Sequence, residues 1–229
     1  MRSALTKAEI ESSIASRFGD AFRIQRAHAE KDAPETLSTG IAEVDALIDG
    51  IPRGAITEIF GPRSSGRTSL LYSALATATA HDEICALVDT NDVFAPTAAA
   101  TAGIDLQRLL WVRCAGELEH AFKATDLLLH AGGFGLVILD VGDVAAKDAR
   151  RIISSWWYRF RRTVENRSTA IVVISEEACT RSCAAVTLEL RGNAEWSGNL
   201  LSFNRINVNR CRPFWPTANE SQFRARAIA

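Results

Sequence analysis

The segment Gly61-Pro62-Arg63-Ser64-Ser65-Gly66-Arg67-Thr68 decides the fold class of this chain. It follows an apolar run at residues 55–60, which predicts a strand, and precedes an alanine- and leucine-rich stretch at residues 67–80, which predicts a helix. Glycines in such a loop let backbone N–H groups converge on phosphate oxygens at the helix N-terminus. The segment fits the P-loop pattern G-x-x-x-x-G-K-S/T except that Arg67 replaces the lysine. The sequence therefore predicts a P-loop fold with an altered phosphate site.

Strands and helices alternate beyond the loop. Further strands are predicted at residues 84–89, 109–113, 135–141 and 169–175, with helices near residues 117–131 and 146–165. Because buried strands separated by helices form sheets covered on both faces, we expect an α/β fold with a mainly parallel sheet and helices on both faces. Residues 184–191 and 200–209 have no helix between them, and residues 192–195 predict the turn of an antiparallel C-terminal hairpin.

The residues around the loop indicate where a nucleotide and a metal ion would bind. The Thr68 hydroxyl stands where P-loop proteins hold Mg²⁺, and Asp140 ends an apolar run as the acidic partner on the metal side. ATP and Mg²⁺ are therefore the candidate cofactors, with Mg²⁺ expected only together with a nucleotide. The candidate phosphate-binding residues are Gly61, Ser64, Ser65, Gly66, Arg67, Thr68, Ser69 and Asp140.

Arg67 allows two interpretations of the loop. Lysine acts at this position as a compact point charge, whereas arginine is bulkier, planar and forked, so the exchange is not conservative. The loop either binds a nucleotide weakly or without fast hydrolysis, or it is a structural relic. In the second case Arg67 would fill the anion site or pair with Asp140. We favour either of these interpretations over a competent ATPase.

Length and composition place the protein among ordinary globular domains. At 229 residues the chain suits one domain, and its net charge of −1 gives no global attraction to nucleic acid or membrane. Five cysteines, an odd number, indicate reduced thiols in a cytoplasmic protein. The longest apolar runs are strand-sized and the N-terminus lacks the apolar stretch of a signal peptide, so no membrane partner is expected.

The two ends of the chain differ from its core. Residues 1–36 predict a short helix and a polar linker, and the helix carries an apolar stripe of Ile10, Ile14 and Phe18. That helix is either an oligomerisation arm or an element folded back on its own domain. Residues 37–212 form the predicted core, and residues 213–229 a basic tail that we expect to be flexible.

Two basic regions are candidates for partner binding. In the helix predicted at residues 146–165, Trp157 and Phe160 belong to an apolar stripe, which leaves Trp156, Arg159, Arg161 and Arg162 off that face. These residues could hold the DNA backbone or an acidic partner, and the alternative is a solvated helix face. Near the C-terminus the candidates are Arg210, Arg212 and Trp215, which suit coupled folding onto a partner or, alternatively, a frayed terminus.

The sequence resembles bacterial RecA over about residues 9–216. The matching segments are residues 37–40, 44–48, 51–62, 64–66, 85–89, 136–140, 186–191 and 208–214. Residues 14–19 are similar to the N-terminal helix with which RecA docks onto its neighbour in a filament. The resemblance implies a RecA-like P-loop core.

The departures from that family are informative. Asn91 stands where the family has the glutamate that orients the attacking water, Ala98 near the adenine-packing tyrosine, and Glu176 at the glutamine that senses the γ-phosphate. An amide cannot act as a general base, so hydrolysis loses a further component. The spaces for the two DNA-binding loops are also too short. These losses argue against strand exchange and against ATP turnover.

This pattern is similar to shortened RecA relatives of the ImuA type. The resemblance implies an accessory protein of SOS-induced translesion synthesis that works with a polymerase-like partner, ImuB, and a DNA polymerase. RecA itself and single-stranded DNA are further candidate partners. The alternatives are a slow DNA-dependent ATPase and a regulator that caps RecA filaments.

Overall fold

The computed structural model describes residues 12–14, 16–19, 36–144, 154–197, 200–213 and 219–226. The strands are β1 (Thr36–Leu37), β2 (Ile51–Pro52), β3 (Ile56–Phe60), β4 (Cys85–Asp89), β5 (Leu109–Arg113), β6 (Leu136–Asp140), β7 (Ala170–Ser175), β8 (Val186–Ser197), β9 (Leu200–Arg212) and β10 (Glu220–Arg226). The helices are α1 (Ala42–Ile48), α2 (Arg67–Ala80), α3 (Pro96–Thr101), α4 (Leu118–Ala131) and α5 (Ser154–Val164), with a 3₁₀ turn at Leu106–Arg108.

Eight strands form one sheet in the order β10-β9-β8-β3-β7-β6-β4-β5. All neighbours from β8 to β5 are parallel, whereas β9 and β10 are antiparallel additions. The α/β fold class, with a mainly parallel sheet and antiparallel C-terminal strands, is therefore confirmed. Because β3, β7, β6 and β4 run in one direction, their carboxyl ends meet at the same edge of the sheet, where ligands bind in open α/β folds.

The central strands are apolar because both of their faces are covered. Every residue of β4 and of β7 is buried. One face of the sheet packs on α2 through residues such as Leu70 and Leu75, and the other packs on α4 and α5 through Phe122, Trp157 and Phe160. The longest described helices, α2 and α4, have 14 residues each. Among the described residues, no helix has the length and apolar character needed to span a bilayer.

The predicted central strands agree with the structure to within one residue at each end, but the predicted turn of the hairpin is wrong. Residues 192–195 lie inside β8, where Gly192 pairs with Ile206, and the strand continues to Ser197. Gly192 is needed for a close approach rather than for a turn. A Cβ at this position would come closer than 3.0 Å to the carbonyl oxygen of Ser64. Of the helix predicted at residues 146–165, residues 146–153 lie outside the described part.

The tail also differs from the prediction, because part of it forms β10. This strand pairs antiparallel with β9, and its residues alternate in exposure: Phe223 is buried and Ala225 packs on the core, whereas Arg224 is exposed. The flexible tail predicted for residues 213–229 is therefore corrected at residues 220–226. Trp215 lies outside the described residues.

The N-terminal segment lies against the same chain. Ile14 is buried within the core on the side of α4 and α5, and Phe18 packs against that core. The Arg17 guanidinium donates a hydrogen bond to the carbonyl oxygen of Leu109 at the start of edge strand β5, at 3.4 Å. These are the contacts expected of a helix folded back on its own domain. Ile10 lies outside the described residues.

Candidate functional site

The phosphate loop connects the carboxyl end of β3 to the N-terminus of α2. Ser64 and Gly66 both have positive φ, at 62° and 97°, and Gly66 is the N-cap residue of α2. Such backbone conformations favour glycine at Gly66 and turn the peptide units of the loop toward its interior. The structure thus places the predicted loop where a P-loop needs it, at the sheet edge shared with β6 and β7.

Packing from the C-terminal hairpin fixes the shape of this loop. A Cβ at Gly61 would approach the carbonyl oxygen of Leu190 closer than 3.0 Å, and one at Gly66 would collide with the side chain of Ile206. The Asn204 amide donates a hydrogen bond to the Ser64 carbonyl at 2.9 Å. The loop conformation is therefore held by β8 and β9 as well as by its own sequence.

Arg67 does not form the ion pair with Asp140 that one interpretation expected. Its side chain is buried, and Nη1 donates a hydrogen bond to the Gly142 carbonyl oxygen at 3.2 Å. Among the described residues, no ion pair joins the two side chains. The structure therefore gives Arg67 a partner in the protein backbone, just beyond the end of β6.

Asp140 lies in an environment that disfavours its ionised form. Burial raises the pKa of this carboxyl from 3.8 to about 6; a hydrogen bond from the Gly142 N–H opposes the shift, and the nearby charge of Asp89 adds to it. The Gly142 N–H lies 2.8 Å from Oδ1. Arg67 lowers the Asp140 pKa only as a weaker, longer-range effect. Burial thus favours the protonated form of Asp140 at mildly acidic pH.

Some of the hydrogen-bond donors that could bind a phosphate are accessible. Thr68 is exposed on the first turn of α2, so its hydroxyl is available to a phosphate or to Mg²⁺. Ser65 is buried, and its Oγ, directed toward Gly61, has no hydrogen-bond partner among the described residues. The loop backbone and Thr68 thus fit a phosphate group, and Thr68 with Asp140 would hold Mg²⁺.

A cavity of about 870 Å³ lies along the side of α2, and of the candidate phosphate-binding residues, all of them described, only Ser69 lines it. Ser69, Tyr72 and Ser73 of α2 form one wall, and Gln222 and Arg224 of β10 form another. Sequence reasoning missed this cavity because it did not predict β10. The signal that could have revealed the strand is the alternation of exposed and buried residues around Phe223.

The three departures predicted at the nucleotide site lie at separate places in the structure. Asn91 follows β4, Ala98 packs on the core from α3, and Glu176 is exposed directly after β7. Asp89, a nearby buried carboxylate, accepts hydrogen bonds from the N–H groups of Val93 and Phe94 and from Trp111 Nε1. Asp89 therefore orders the residues that follow β4.

The loop, its neighbouring strands and their order agree with a match of the sequence to the RecA N-terminal domain family over residues 4–154. The chain belongs to that family. Protein RecA of Rhizobium leguminosarum bv. viciae is 30% identical over 158 residues, which are 62% of this chain and 45% of that protein. Protein RecA of Parasynechococcus marenigrum is 28% identical over an alignment 230 residues long, which covers 92% of this chain and 57% of that protein. The chain thus spans about half the length of these relatives.

The structure separates the basic candidates on this RecA-family core into three groups. Arg159 is paired, since Nε and Nη2 donate to the two carboxylate oxygens of Asp126 at 2.5 and 2.6 Å. Arg161 and Arg162 are exposed. Arg212 is half-buried and donates from Nη1 to the Arg181 carbonyl oxygen at 2.9 Å.

Two of the predicted partner-binding residues have structural roles instead. Trp156 is half-buried, with its ring 5.8 Å from that of Phe122, so it is not the exposed aromatic that was expected. Arg210 is buried and donates to the carbonyl oxygen of Leu47 and to Asn219 Oδ1, where it joins α1 to the residues before β10. The aromatic residue that α5 does expose is Tyr158.

Proposed function

We propose that this protein is a RecA-like accessory factor of DNA repair, acting in SOS-induced translesion mutagenesis without ATP-driven strand exchange. It works in the cytoplasm with a polymerase-like partner of the ImuB type, and RecA and single-stranded DNA are secondary partners. The observation that carries the proposal is the position of Arg67. Its buried guanidinium donates to the Gly142 carbonyl, at the point where a RecA-type ATPase needs a free lysine.

The surroundings of Arg67 support the same conclusion. The three replaced positions, Asn91, Ala98 and Glu176, belong to different elements of the fold, so no single compensating change restores them. The loop shape persists because β8 and β9 pack on it. A loop kept for its packing and lacking its chemistry fits a protein whose function is to bind other proteins.

ATP and Mg²⁺ enter this proposal as weakly held ligands. The loop backbone and Thr68 would receive the phosphates of the nucleotide, and Thr68 with Asp140 would hold the metal. In that role a nucleotide would stabilise the core by mass action and would not be turned over.

The test combines nucleotide binding with turnover. Purified protein is titrated with a fluorescent ATP analogue, and phosphate release is measured with and without single-stranded DNA, using RecA as a positive control and Arg67→Ala as the variant. We expect weak or no binding and no release above the background of the Arg67→Ala protein. DNA-stimulated release that Arg67→Ala abolishes would overturn the proposal.

A slow DNA-dependent ATPase is the second candidate function. The exposed Thr68 hydroxyl favours it, since productive nucleotide binding would need that group to be accessible. The phosphate-release measurement distinguishes the two candidates directly.

A RecA-filament cap would use the N-terminal helix. The burial of Ile14 in the chain's own core disfavours this role, because a capping helix must offer its apolar stripe to another molecule. A pull-down of RecA with the full chain and with a chain starting at Leu37 tests it. Equal recovery of RecA by both proteins would exclude capping by that helix.

A further inference from the structure

Three elements meet at a basic surface that the phosphate loop does not use. Ser154, Tyr158 and Arg161 follow one another along one face of α5 at helical spacing. The Nη1 of Arg181, in the connection between β7 and β8, donates to Ser154 Oγ at 2.9 Å, and Arg212 at the end of β9 donates to the Arg181 carbonyl. We call Tyr158, Arg161, Arg181 and Arg212 the Tyr158 surface.

The connection that carries Arg181 is held rigidly. The buried carboxylate of Glu58 in β3 accepts hydrogen bonds from the N–H groups of Cys179 and Thr180, at 2.6 and 2.9 Å, and from Thr180 Oγ at 2.7 Å. Arg181 therefore follows directly after a residue fixed to the central strand. Groups ordered before binding lose less conformational entropy when a partner arrives.

The arginines of this surface differ from other arginines in the described part of the chain. Arg159 on α5 pairs with Asp126, and Arg191 on β8 pairs with Glu189. Among the described residues, no ion pair joins Arg161, Arg181 or Arg212 to a carboxylate. Arg161 and Arg212 both act on the Cys183 thiol: burial raises the pKa of this thiol, and the charges of the two guanidinium groups oppose that shift.

An exposed aromatic ring lies among these charges. The Tyr158 side chain is 56% exposed, and the other large hydrophobic residue exposed in the described part of the chain, Val93, lies elsewhere, after β4. Tyrosine and arginine are the residues most enriched among those that dominate protein–protein binding energies. The composition of this surface is thus that of a small protein-binding site.

We infer that the Tyr158 surface binds an acidic segment of a partner protein, a short stretch with several carboxylates around an apolar residue. The inference rests on the proposed accessory function, which requires a protein partner. Guanidinium groups are forked donors that match carboxylates in pairs. Arg181 and Arg212 each use Nη1 within the protein, which leaves the other N–H groups of each guanidinium to donate to a carboxylate.

The overall charge favours an acidic peptide over a nucleic acid. Domains that bind nucleic acid are commonly basic as a whole and present many phosphate contacts. This chain has a net charge of −1 and a pI of about 6.4, and the Tyr158 surface offers three arginines. A short acidic segment fits that local and limited charge better than a long polyanion does.

Fluorescence anisotropy tests the inference with the full chain. The probes are a fluorescein-labelled peptide in which glutamates and aspartates flank one phenylalanine, the same peptide with glutamine and asparagine instead, and labelled single-stranded oligothymidine. We expect the acidic peptide to bind, and to bind at least about tenfold more tightly than the amide peptide and the oligothymidine.

The variants identify the surface. Arg161→Glu/Arg212→Glu is expected to weaken acidic-peptide binding at least about tenfold, and Tyr158→Ala about fivefold, with Tyr158→Phe close to the natural protein. Arg224→Glu reverses an exposed charge on β10 and serves as the matched control that should not change binding. Arg161→Gln/Arg212→Gln removes the two charges without reversing them. Circular dichroism of each variant shows whether the fold is intact, so that loss of the site can be distinguished from loss of the fold.

Three results would overturn the inference: failure of the natural protein to bind the acidic peptide, binding that the surface variants leave unchanged, or tighter binding of oligothymidine that the same variants abolish. The last result would make this a nucleic-acid surface. The measurement uses no nucleotide. ATP turnover with intact peptide binding would therefore contradict the accessory function and leave this surface standing.

Discussion

The phosphate loop and the Tyr158 surface differ in what the fold holds in place, which is a backbone shape in the loop and side chains in the surface. The backbone shape of the loop is fixed by Gly61, Gly66 and the hairpin packed on them, and its Arg67 side chain is held by a backbone carbonyl oxygen. The Tyr158 surface matches no motif, but hydrogen bonds hold the side chains of Arg181 and Arg212, and no ion pair joins its arginines to a described carboxylate. The comparison shows that a recognisable motif and an ordered group of charged side chains can lie in different parts of one fold.

The sharpest way to break this comparison is to disturb the loop backbone. Gly61→Ala places a methyl group against the Leu190 carbonyl oxygen, which cannot move without shifting β8. We expect the free energy of unfolding to fall by about 3 kcal/mol, measured by urea denaturation without nucleotide. Thr68→Ala, at an exposed position of the same loop, is the control and should cost less than about 0.5 kcal/mol. If both variants lost only a small and equal amount of unfolding free energy, the packing of the loop on β8 would not contribute to stability.

The next largest effect is expected beneath the Tyr158 surface. Glu58→Ala leaves the N–H groups of Cys179 and Thr180 without their buried acceptor. We expect unfolding to become easier by about 2 kcal/mol and acidic-peptide binding to weaken, because the connection bearing Arg181 loses its anchor. Glu58→Gln keeps one acceptor oxygen and should cost less. A destabilised Glu58→Ala protein that binds the peptide unchanged would show that preorganisation is unimportant.

A smaller and pH-dependent effect is expected at Asp140. Its folded-state pKa of about 6 lies above the ordinary 3.8, so the folded protein binds an extra proton between these values. The ionised carboxylate therefore opposes folding fully above about pH 7 and not at all below about pH 3.5. Asp140→Asn should stabilise the protein by about 1–2 kcal/mol at pH 8 and leave it unchanged at pH 3.5. An advantage of the same size at both pH values would contradict the raised pKa.

The smallest expected effect is that of restoring the lysine. Arg67→Lys supplies the point charge of a P-loop but leaves Asn91 and Glu176 in place. Phosphate release should stay within about twofold of that of the natural protein. Tighter binding of the fluorescent ATP analogue would be compatible with this prediction. Turnover rescued by this one substitution would show that the other losses are incidental.

The buried strands could be predicted because a strand covered on both faces consists of consecutive apolar residues. The runs at β3, β4, β6 and β7 located the sheet and with it the loop and Asp140. Local pattern could not say which residue a distant segment would press against. Gly192 lies in a segment whose residues are typical of a turn. A glycine is required there for another reason, because the carbonyl oxygen of Ser64 lies where a Cβ would be.

The functional residues were harder to predict for a related reason. From the sequence alone, Arg210 resembles a basic binding residue. In the structure it is buried and donates hydrogen bonds to Leu47 and Asn219. Trp156 was expected to be exposed because its partner Phe122 lies on another helix. Exposure is set by elements remote in sequence, so the residue that α5 offers to solvent, Tyr158, could be identified only once α4 was in place.

Strand β10 has a consequence for handling this protein. Without the pairing of residues 220–226, β9 would present an open edge over residues 203–209, the 7 positions that β10 pairs with. Open edges recruit other chains and lead to aggregation. Variants in which residues 220–226 are deleted or cannot pair are therefore expected to aggregate more readily than the natural protein.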